Sequence, residues 1–505
     1  MKIIIQAGGR GSRLRNYTWN KPKCLVAVNN KPILYHLFDK FPKAEFIIIG
    51  DYKLDVLKKY LKALNPKVCY ALIKTCGSGT ISGLNDALKR VPENEKFLLI
   101  WSDLVFNDKL KVPKTNKPVI FTTQAIPCRW GVHEGGLRQT ANAKDGIPGI
   151  FFFPNKKVLE KLPYSGEFVR WYSNNIKTFK TSRFDALSEL GDLEVLSKQL
   201  NKETHCRFFN NVKIDKINNL VSKSALTKKH SSLNENEINW YKKISCYRYS
   251  ALPKIKSYKP LKYEYIYGKH PFEYATASKS SKIQILTNIL DSLKELHSKD
   301  TAESNVSDLQ NVYVEKTLTR VYSIKNLVPH FKSKEFVING KKCINPFVNI
   351  DKNFKNHLNN LQKTECFRPI HGDPTFSNCI LNRNLKPKFI DPRGSFNKIG
   401  IFGDYLYDFA KVYYSSYGCY DMVNRKRFKL FFDKQVIEIL VPESGFVSVS
   451  DSVFKRYLNK KEFQKVKVIH ALIYLSLSGY VLEDYDSILA AFYLGVYHFN
   501  NAVPL

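Results

Sequence analysis

Two stretches of this 505-residue chain combine residue types suited to handling phosphate. The first is Gln6-Ala7-Gly8-Gly9-Arg10-Gly11-Ser12-Arg13-Leu14, which directly follows the apolar run Ile3–Ile5. Its glycines would let backbone N–H groups approach a phosphate closely, while basic side chains neutralise it. A dinucleotide fingerprint fits poorly, because Leu14 stands where the third glycine belongs, and no GxxxxGK[ST] element occurs. The second stretch is His371-Gly372-Asp373-Pro374-Thr375-Phe376-Ser377-Asn378, followed by Asp391 in Phe389-Ile390-Asp391-Pro392-Arg393-Gly394. There Asp373 can reach an attacking hydroxyl, Asn378 can turn back toward a metal ion, and Asp391 can supply a second ligand.

Those residues need elements to hold them. Over the first two hundred residues, strand-like runs at Lys2–Gln6, Glu45–Gly50, Val68–Ile73 and Phe97–Trp101 alternate with helix-like spacing over Lys53–Leu64 and Ile81–Arg90. That alternation predicts an α/β domain with a mostly parallel sheet, helices on both faces and ligands at the carboxyl strand ends. The Gly8–Gly11 loop, the Gly77–Thr80 loop and Asp103 would then share one rim. From Leu193 to Cys206 the chain is polar and reads as a linker. Arg207 to Tyr267 reads as strands with one helix, and no glycine occurs between Gly191 and Gly268. From about Ser278 onward the pattern is largely helical apart from Phe367–Gly394. The domains are therefore placed at 1–200 and 206–505, the latter divided near 267/268.

Composition narrows the function classes. An apolar fraction of 44% and a charged fraction of 25% are ordinary for globular protein and exclude a disordered, collagenous or disulfide-scaffold chain. Lys and Arg number 80 against 45 Asp and Glu, leaving +35. Such an excess suits polyphosphate substrates or nucleic acid. The lysines are scattered rather than clustered, so the pattern favours phosphate handling over a nucleic-acid surface. Ten cysteines without a CxxC pair read as free thiols of a reducing cytoplasm. The opening residues do not read as a signal peptide, and Val468–Leu482 is too short and interrupted for a membrane span.

The glycine loop, Arg13, the following Pro22-Lys23, the loop Gly77-Ser78-Gly79-Thr80 and the strand-end Asp103 together resemble the nucleotidyltransferases that make nucleotide-activated sugars and aminoalcohols. The resemblance covers roughly residues 1–200 and implies a Rossmann-like domain. It implies that a substrate phosphate attacks the α-phosphate of an NTP and pyrophosphate leaves. Arg13 would contact the pyrophosphate and Lys23 the reacting phosphates. Gln6, Ala7, Gly8, Gly9, Gly11, Gly77, Gly79 and Thr80 would bind the nucleotide, and Asp103 would hold Mg²⁺. Asp145, Glu167 and Asp192 stay open as the second metal carboxylate. The region Arg129–Gly149 lacks the family's Glu-Lys-Pro acceptor signature, so the acceptor stays open too.

The five-residue step from Asp373 to Asn378 matches the kinase pattern H-R-D-x-x-x-x-N. With Asp391 it resembles the aminoglycoside phosphotransferase and choline kinase superfamily over roughly Arg207–Leu505. This implies a two-lobed, protein-kinase-like α+β domain. Asp373 would be the catalytic base, Asn378 and Asp391 the Mg²⁺ ligands, and Lys223 an ATP-phosphate contact oriented by Glu237. Phe208-Phe209-Asn210-Asn211 would cover the phosphates in place of a glycine loop, the hinge would fall near Tyr263–Gly268, and Asp404 would brace the catalytic loop. Arg393 would touch a phosphorylated ligand or pair with an acid.

Together the halves imply a bifunctional enzyme. One half phosphorylates a small alcohol, aminoalcohol or sugar with ATP. The other couples that phosphate to an NTP, CTP being one candidate, giving an activated precursor for glycan or capsule decoration. The alternatives are a transferase with an inactive, ligand-binding lobe, and a basic nucleic-acid-binding scaffold.

Overall fold

The computed structural model of the protein describes residues 1–75, 77–134, 136–140, 144–202, 210–225, 231–348 and 352–503. The chain forms two compact units. The first comprises Met1–Thr204 with the short segment Leu482–Asp486, and the second comprises His205–Val481 with Ser487–Leu505.

In the first unit, Ile3–Ile5, Phe46–Ile49 and Phe97–Ile100 are fully buried apolar runs, as strands covered on both faces must be. They lie in a seven-stranded sheet ordered Lys180–Arg183, Val119–Thr122, Ile150–Phe153, Phe97–Trp101, Lys2–Gln6, Glu45–Gly50, Cys69–Lys74. Lys2–Gln6 pairs in parallel with Glu45–Gly50 and with Phe97–Trp101, so their carboxyl ends reach one rim. The sheet is mixed, because Ile150–Phe153 runs antiparallel to both its neighbours.

Two local expectations for this unit change. The helix expected over Ile81–Arg90 shrinks to Leu84–Leu88, because the Ile81 N–H is committed to the Gly166 carbonyl at 3.0 Å. The expected linker is a helix as far as described, Leu193–Lys202. Leu193, Leu196 and Leu200 recur at helical spacing, and Leu196 is buried in a core with Leu14, Val26 and Ile33. Cys206 lies outside the described residues. Within the same unit the buried Lys21 ammonium meets Asp484 at 2.5 Å and Asp486 at 2.8 Å. Burial opposes its charge, yet the two carboxylates hold its pKa above the ordinary lysine value. This fixes the stretch that continues into Pro22 and Lys23.

The second unit opens with an antiparallel four-stranded sheet, ordered Asn210–Asp215, Leu220–Ala225, Leu261–Glu264, Ile255–Tyr258, and the helix Ser231–Ser245. Its helical body includes Lys279–His297, Lys316–Ser323, Tyr405–Ser416, Lys460–Ser478 and all but the first two residues of Tyr485–Ala502. The largely helical expectation needs one correction, a second four-stranded sheet built from Lys341–Ile344, Glu335–Ile338, Val436–Leu440 and Lys429–Asp433. Its first hairpin turns at Asn339-Gly340, both at positive φ, which is a strong short-range hairpin signal. No helix among the described residues is long and apolar enough to cross a membrane.

Candidate active sites

In the first unit the strand Lys2–Gln6 delivers Gln6 to the rim, where its amide donates to the carbonyls of Thr80 and, at 3.3 Å, Ser82. The Gly77–Thr80 loop is thus tied to the first strand. Gly79 has φ +82°, and a Cβ there would run into the Gly166 carbonyl, so glycine is required. The Thr80 hydroxyl accepts the Phe168 N–H at 2.7 Å. Gly77 is close-packed as well, since a Cβ on it would lie 2.7 Å from Ser82 Oγ.

The glycine loop starts with Ala7, buried and donating to the Ile49 carbonyl at 2.8 Å. Gly8 packs on Asp51, whereas Gly9 has open space where a side chain would be. Gly11, at φ +65°, lies against Lys23, whose Cβ would sit 3.1 Å from a Cβ on Gly11. Arg13 projects outward with 66% of its side chain exposed, its guanidinium 3.8 Å from Glu189. Lys23 forms an ion pair with Asp103.

Glu189 is the residue that sequence reasoning missed. The ladder between Leu104–Phe106 and Leu187–Glu189 places Glu189 opposite Leu104, and the Leu190 N–H donates to the Asp103 carbonyl at 2.9 Å. A Cβ on Gly191 would lie 2.7 Å from Lys23 Nζ, 2.8 Å from a Glu189 oxygen and 3.0 Å from an Asp103 oxygen. Gly191 therefore leaves room where the three charged groups converge. Burial, then the Asp103 charge, raises the Glu189 pKa above its ordinary value, against the opposing pull of Lys23 and Arg13. Two carboxylates converging on a small gap suit a hard divalent cation, so the residues fit Mg²⁺. Asp192 faces a different task, accepting the Glu194 N–H at 2.9 Å at the start of a helix. Glu167 likewise caps the helix Phe168–Asn175, and Asp145 contacts Gln124 at 3.4 Å.

In the second unit, Leu220–Ala225 carries Lys223 and the helix Ser231–Ser245 carries Glu237, both buried. The Lys223 ammonium donates to both Glu237 oxygens, at 2.8 and 2.7 Å, and to Asp391 at 2.6 Å. Asp391 has φ +59°, an uncommon conformation for a residue with a Cβ. The Asn378 amide donates to the Asp373 carbonyl at 2.9 Å and carboxylate at 3.1 Å. Lys411 sits 3.0 Å from Asp373. Lys223, Glu237 and Asp391 thus form one cluster, and Asp373 and Asn378 another, with the Ile390 N–H donating to the Asn378 carbonyl at 2.9 Å. Asn378 and Asp391 present the oxygen donors Mg²⁺ takes. Phe208 and Phe209 lie outside the described residues.

The brace of this loop is Asp408, which corrects the expectation for Asp404. The buried Asp408 carboxylate accepts the His371 N–H at 2.8 Å and the Gly372 N–H at 2.7 Å, and contacts His297 Nε2 at 3.1 Å. Asp404 instead caps the helix Tyr405–Ser416 through the Leu406 N–H at 3.0 Å and accepts the Tyr313 hydroxyl at 2.8 Å. Asp404 lies at the helix start and its carboxylate is used up locally; Asp408, one turn later, faces the loop. Arg393 donates to the Tyr407 hydroxyl at 3.1 Å.

Comparison with known proteins bears on the first unit. Residues 3–112 match the MobA-like NTP transferase domain, and the unit has a Rossmann-like nucleotidyltransferase fold with a mixed sheet. The chain is 33% identical over 115 residues to the bifunctional protein GlmU of Methanocaldococcus jannaschii, covering 22% of this chain and 27% of that one. It is 34% identical over 125 residues to the D-glycero-alpha-D-manno-heptose 1-phosphate guanylyltransferase of Campylobacter jejuni, covering 24% of this chain and 55% of that one. Against the glucose-1-phosphate cytidylyltransferase of Salmonella typhimurium the identity is 26% over 231 residues, covering 38% and 86%. The chain thus spans 27% and 55% of the first two relatives' own lengths.

Two outcomes follow from these geometries. Glu189→Gln removes one of two facing carboxylates, so Mg²⁺ affinity measured by titration calorimetry falls about 10-fold or more; Asp192→Asn, at a helix cap, keeps it. Asp408→Ala strands two buried N–H groups and lowers stability in urea melts by about 3 kcal/mol or more. Asp404→Ala loses a cap and one hydroxyl partner, and costs less, about 1–2 kcal/mol.

Proposed function

We propose that the protein is a bifunctional enzyme that phosphorylates a small alcohol with ATP and joins that phosphate to a nucleotide. The observation that carries the reading is the pairing of two different phosphate-chemistry clusters in one chain. One is Lys23 and Asp103 beside a glycine loop, inside the matched NTP transferase domain, with Glu189 brought to them from beyond it. The other is Lys223, Glu237 and Asp391 with Asp373 and Asn378.

In the first unit, a substrate phosphate oxygen attacks the α-phosphorus of the NTP, the bond from that phosphorus to the bridging oxygen breaks, and pyrophosphate leaves. The nucleophile is already an anion, so positioning and charge neutralisation dominate over general-base help. Lys23 neutralises the reacting phosphates once a nucleotide competes for it with Asp103, and the exposed Arg13 is free to swing onto the pyrophosphate. Gln6 and the Gly77–Thr80 loop hold base and ribose. Asp103 and Glu189 would hold Mg²⁺, which when bound would neutralise charge developing on the pyrophosphate. The guanylyltransferase and cytidylyltransferase relatives are named for different sugar phosphates and different bases, so likeness to them fixes neither base nor acceptor.

In the second unit, the acceptor oxygen attacks the ATP γ-phosphorus, its proton passes to Asp373, and ADP leaves. Lys223, oriented by Glu237, draws on the ATP phosphates. Asn378 and Asp391 would hold Mg²⁺, which neutralises charge on the transferred group. A second reading keeps the transferase active and treats this unit as a ligand-binding lobe; it is favoured by the lack of any glycine from 192 to 267 to form a phosphate-covering loop.

The two readings separate in variants assayed for both partial reactions. Lys23→Ala lowers pyrophosphate release about 100-fold or more while ADP formation persists, and Asp373→Asn does the reverse. If ADP formation is absent from the wild type or indifferent to Asp373→Asn, the ligand-binding reading replaces the kinase one.

A further inference from the structure

Behind Asp373 the second unit holds a cavity of about 330 Å³. Its wall beside the loop is Gly372, Asp373 and Arg393, so it opens where the acceptor of a phosphoryl transfer would stand. The charges that line it are Lys316, Arg320, Arg393 and Lys411 against the single carboxylate of Asp373. Only Lys411 is matched, by Asp373 at 3.0 Å. Among the described residues, no carboxylate forms an ion pair with Lys316, Arg320 or Arg393. Arg320 donates to Ser476 Oγ at 3.0 Å and Arg393 to the Tyr407 hydroxyl at 3.1 Å, both neutral partners.

These cations crowd one another. Burial, then the charges of Arg393, Arg320 and Lys411, depress the Lys316 pKa well below the lysine value, with Asp373 pulling the other way. Burial and Arg393 likewise lower that of Arg320. Positive charge concentrated around a single carboxylate costs stability unless a further anion arrives.

The aromatic residues argue the same way. A pocket for a cationic aminoalcohol would offer ring faces and acids to the ammonium. Here three of the five tyrosines that line the cavity already face the protein's own cations. Lys411 Nζ lies 5.8 Å from the Tyr407 ring and 5.5 Å from that of Tyr414, and the Arg320 guanidinium lies 5.2 Å from Tyr480.

We propose that the acceptor of the second unit is itself a phosphate ester, a sugar or polyol monophosphate, whose phosphate binds Lys316, Arg320 and Arg393 while a free hydroxyl meets Asp373. This deepens the kinase reading and rests on it. Guanidinium groups match phosphate oxygens in pairs, and two guanidiniums beside an amine, with no ion-paired carboxylate among the described residues, suit a dianion better than a monovalent carboxylate. The product would carry two phosphates, one of them newly made and available to the nucleotidyl-transfer reaction.

The test uses the full chain and two readouts. The first is thermal protection by inorganic phosphate without ATP. Wild type gains several degrees, Lys316→Gln and Arg320→Gln lose most of that gain, and Lys316→Arg keeps it. The second is phosphoryl transfer from ATP to matched acceptors: glucose 6-phosphate, glucose, gluconate, glucosamine and choline. The phosphate ester is preferred at least 30-fold in kcat/KM, and Arg320→Gln raises its KM at least 10-fold with the KM for ATP within threefold. Protection indifferent to Lys316→Gln and Arg320→Gln, or preference for choline or glucosamine, overturns the proposal. Protection lost in those variants, with no acceptor phosphorylated, leaves the anion site standing and removes the kinase reading instead.

Discussion

Charge taken out of water must be matched, and both units are organised by that constraint. Lys21 is buried because Asp484 and Asp486 meet it, and Lys223 because Glu237 clasps it with two hydrogen bonds. Asp408 is buried because two backbone N–H groups and His297 point at it. Each matched charge fixes the backbone beside it: the approach to Lys23, the strand bearing Lys223, the loop bearing Asp373.

Against that background the proposed chemistry falls at the incompletely matched places. Asp103 and Glu189 converge with one lysine between them, an arrangement in which burial and like charge raise the affinity of Glu189 for a proton. The cavity beside Asp373 holds three cations with no carboxylate partner among the described residues. One gathers negative charge and the other positive, and each is complementary to a different component of phosphate chemistry. The net +35 of the chain is mostly scattered lysine, yet a few of those cations are focused in this way.

Much of this was legible in the sequence. Unbroken apolar runs such as Ile3–Ile5 could only be strands covered on both faces, and the loop after them had to lie on the carboxyl rim. The strands and single helix expected over Arg207–Tyr267 are present, and they carry Lys223 and Glu237. Glu189 was not legible, because its proximity to Asp103 depends on a two-stranded ladder joining residues 85 apart in sequence. Leu193–Lys202 was hidden by its Lys and Asn content, although Leu196 alone decides its burial. The Asn339-Gly340 hairpin carried a readable signal that the surrounding helical pattern masked. Asp404 and Asp408 cannot be told apart by composition, since the choice turns on which is at the helix start and which one turn in. The cation cluster was equally hidden, being drawn from positions 316, 320, 393 and 411.

The account stands or falls on phosphate passing from one chemistry to the other. The direct measurement supplies ATP labelled with ¹⁸O in its γ-phosphate, unlabelled CTP, GTP and UTP, Mg²⁺ and a pool of alcohols, sugars and sugar phosphates, and weighs the nucleotide products by mass spectrometry. The account predicts a nucleoside diphosphate-linked product whose label lies in the phosphate farther from the nucleoside. A product that forms without label, from a phosphate already present in the pool while ADP fails to appear, would contradict it.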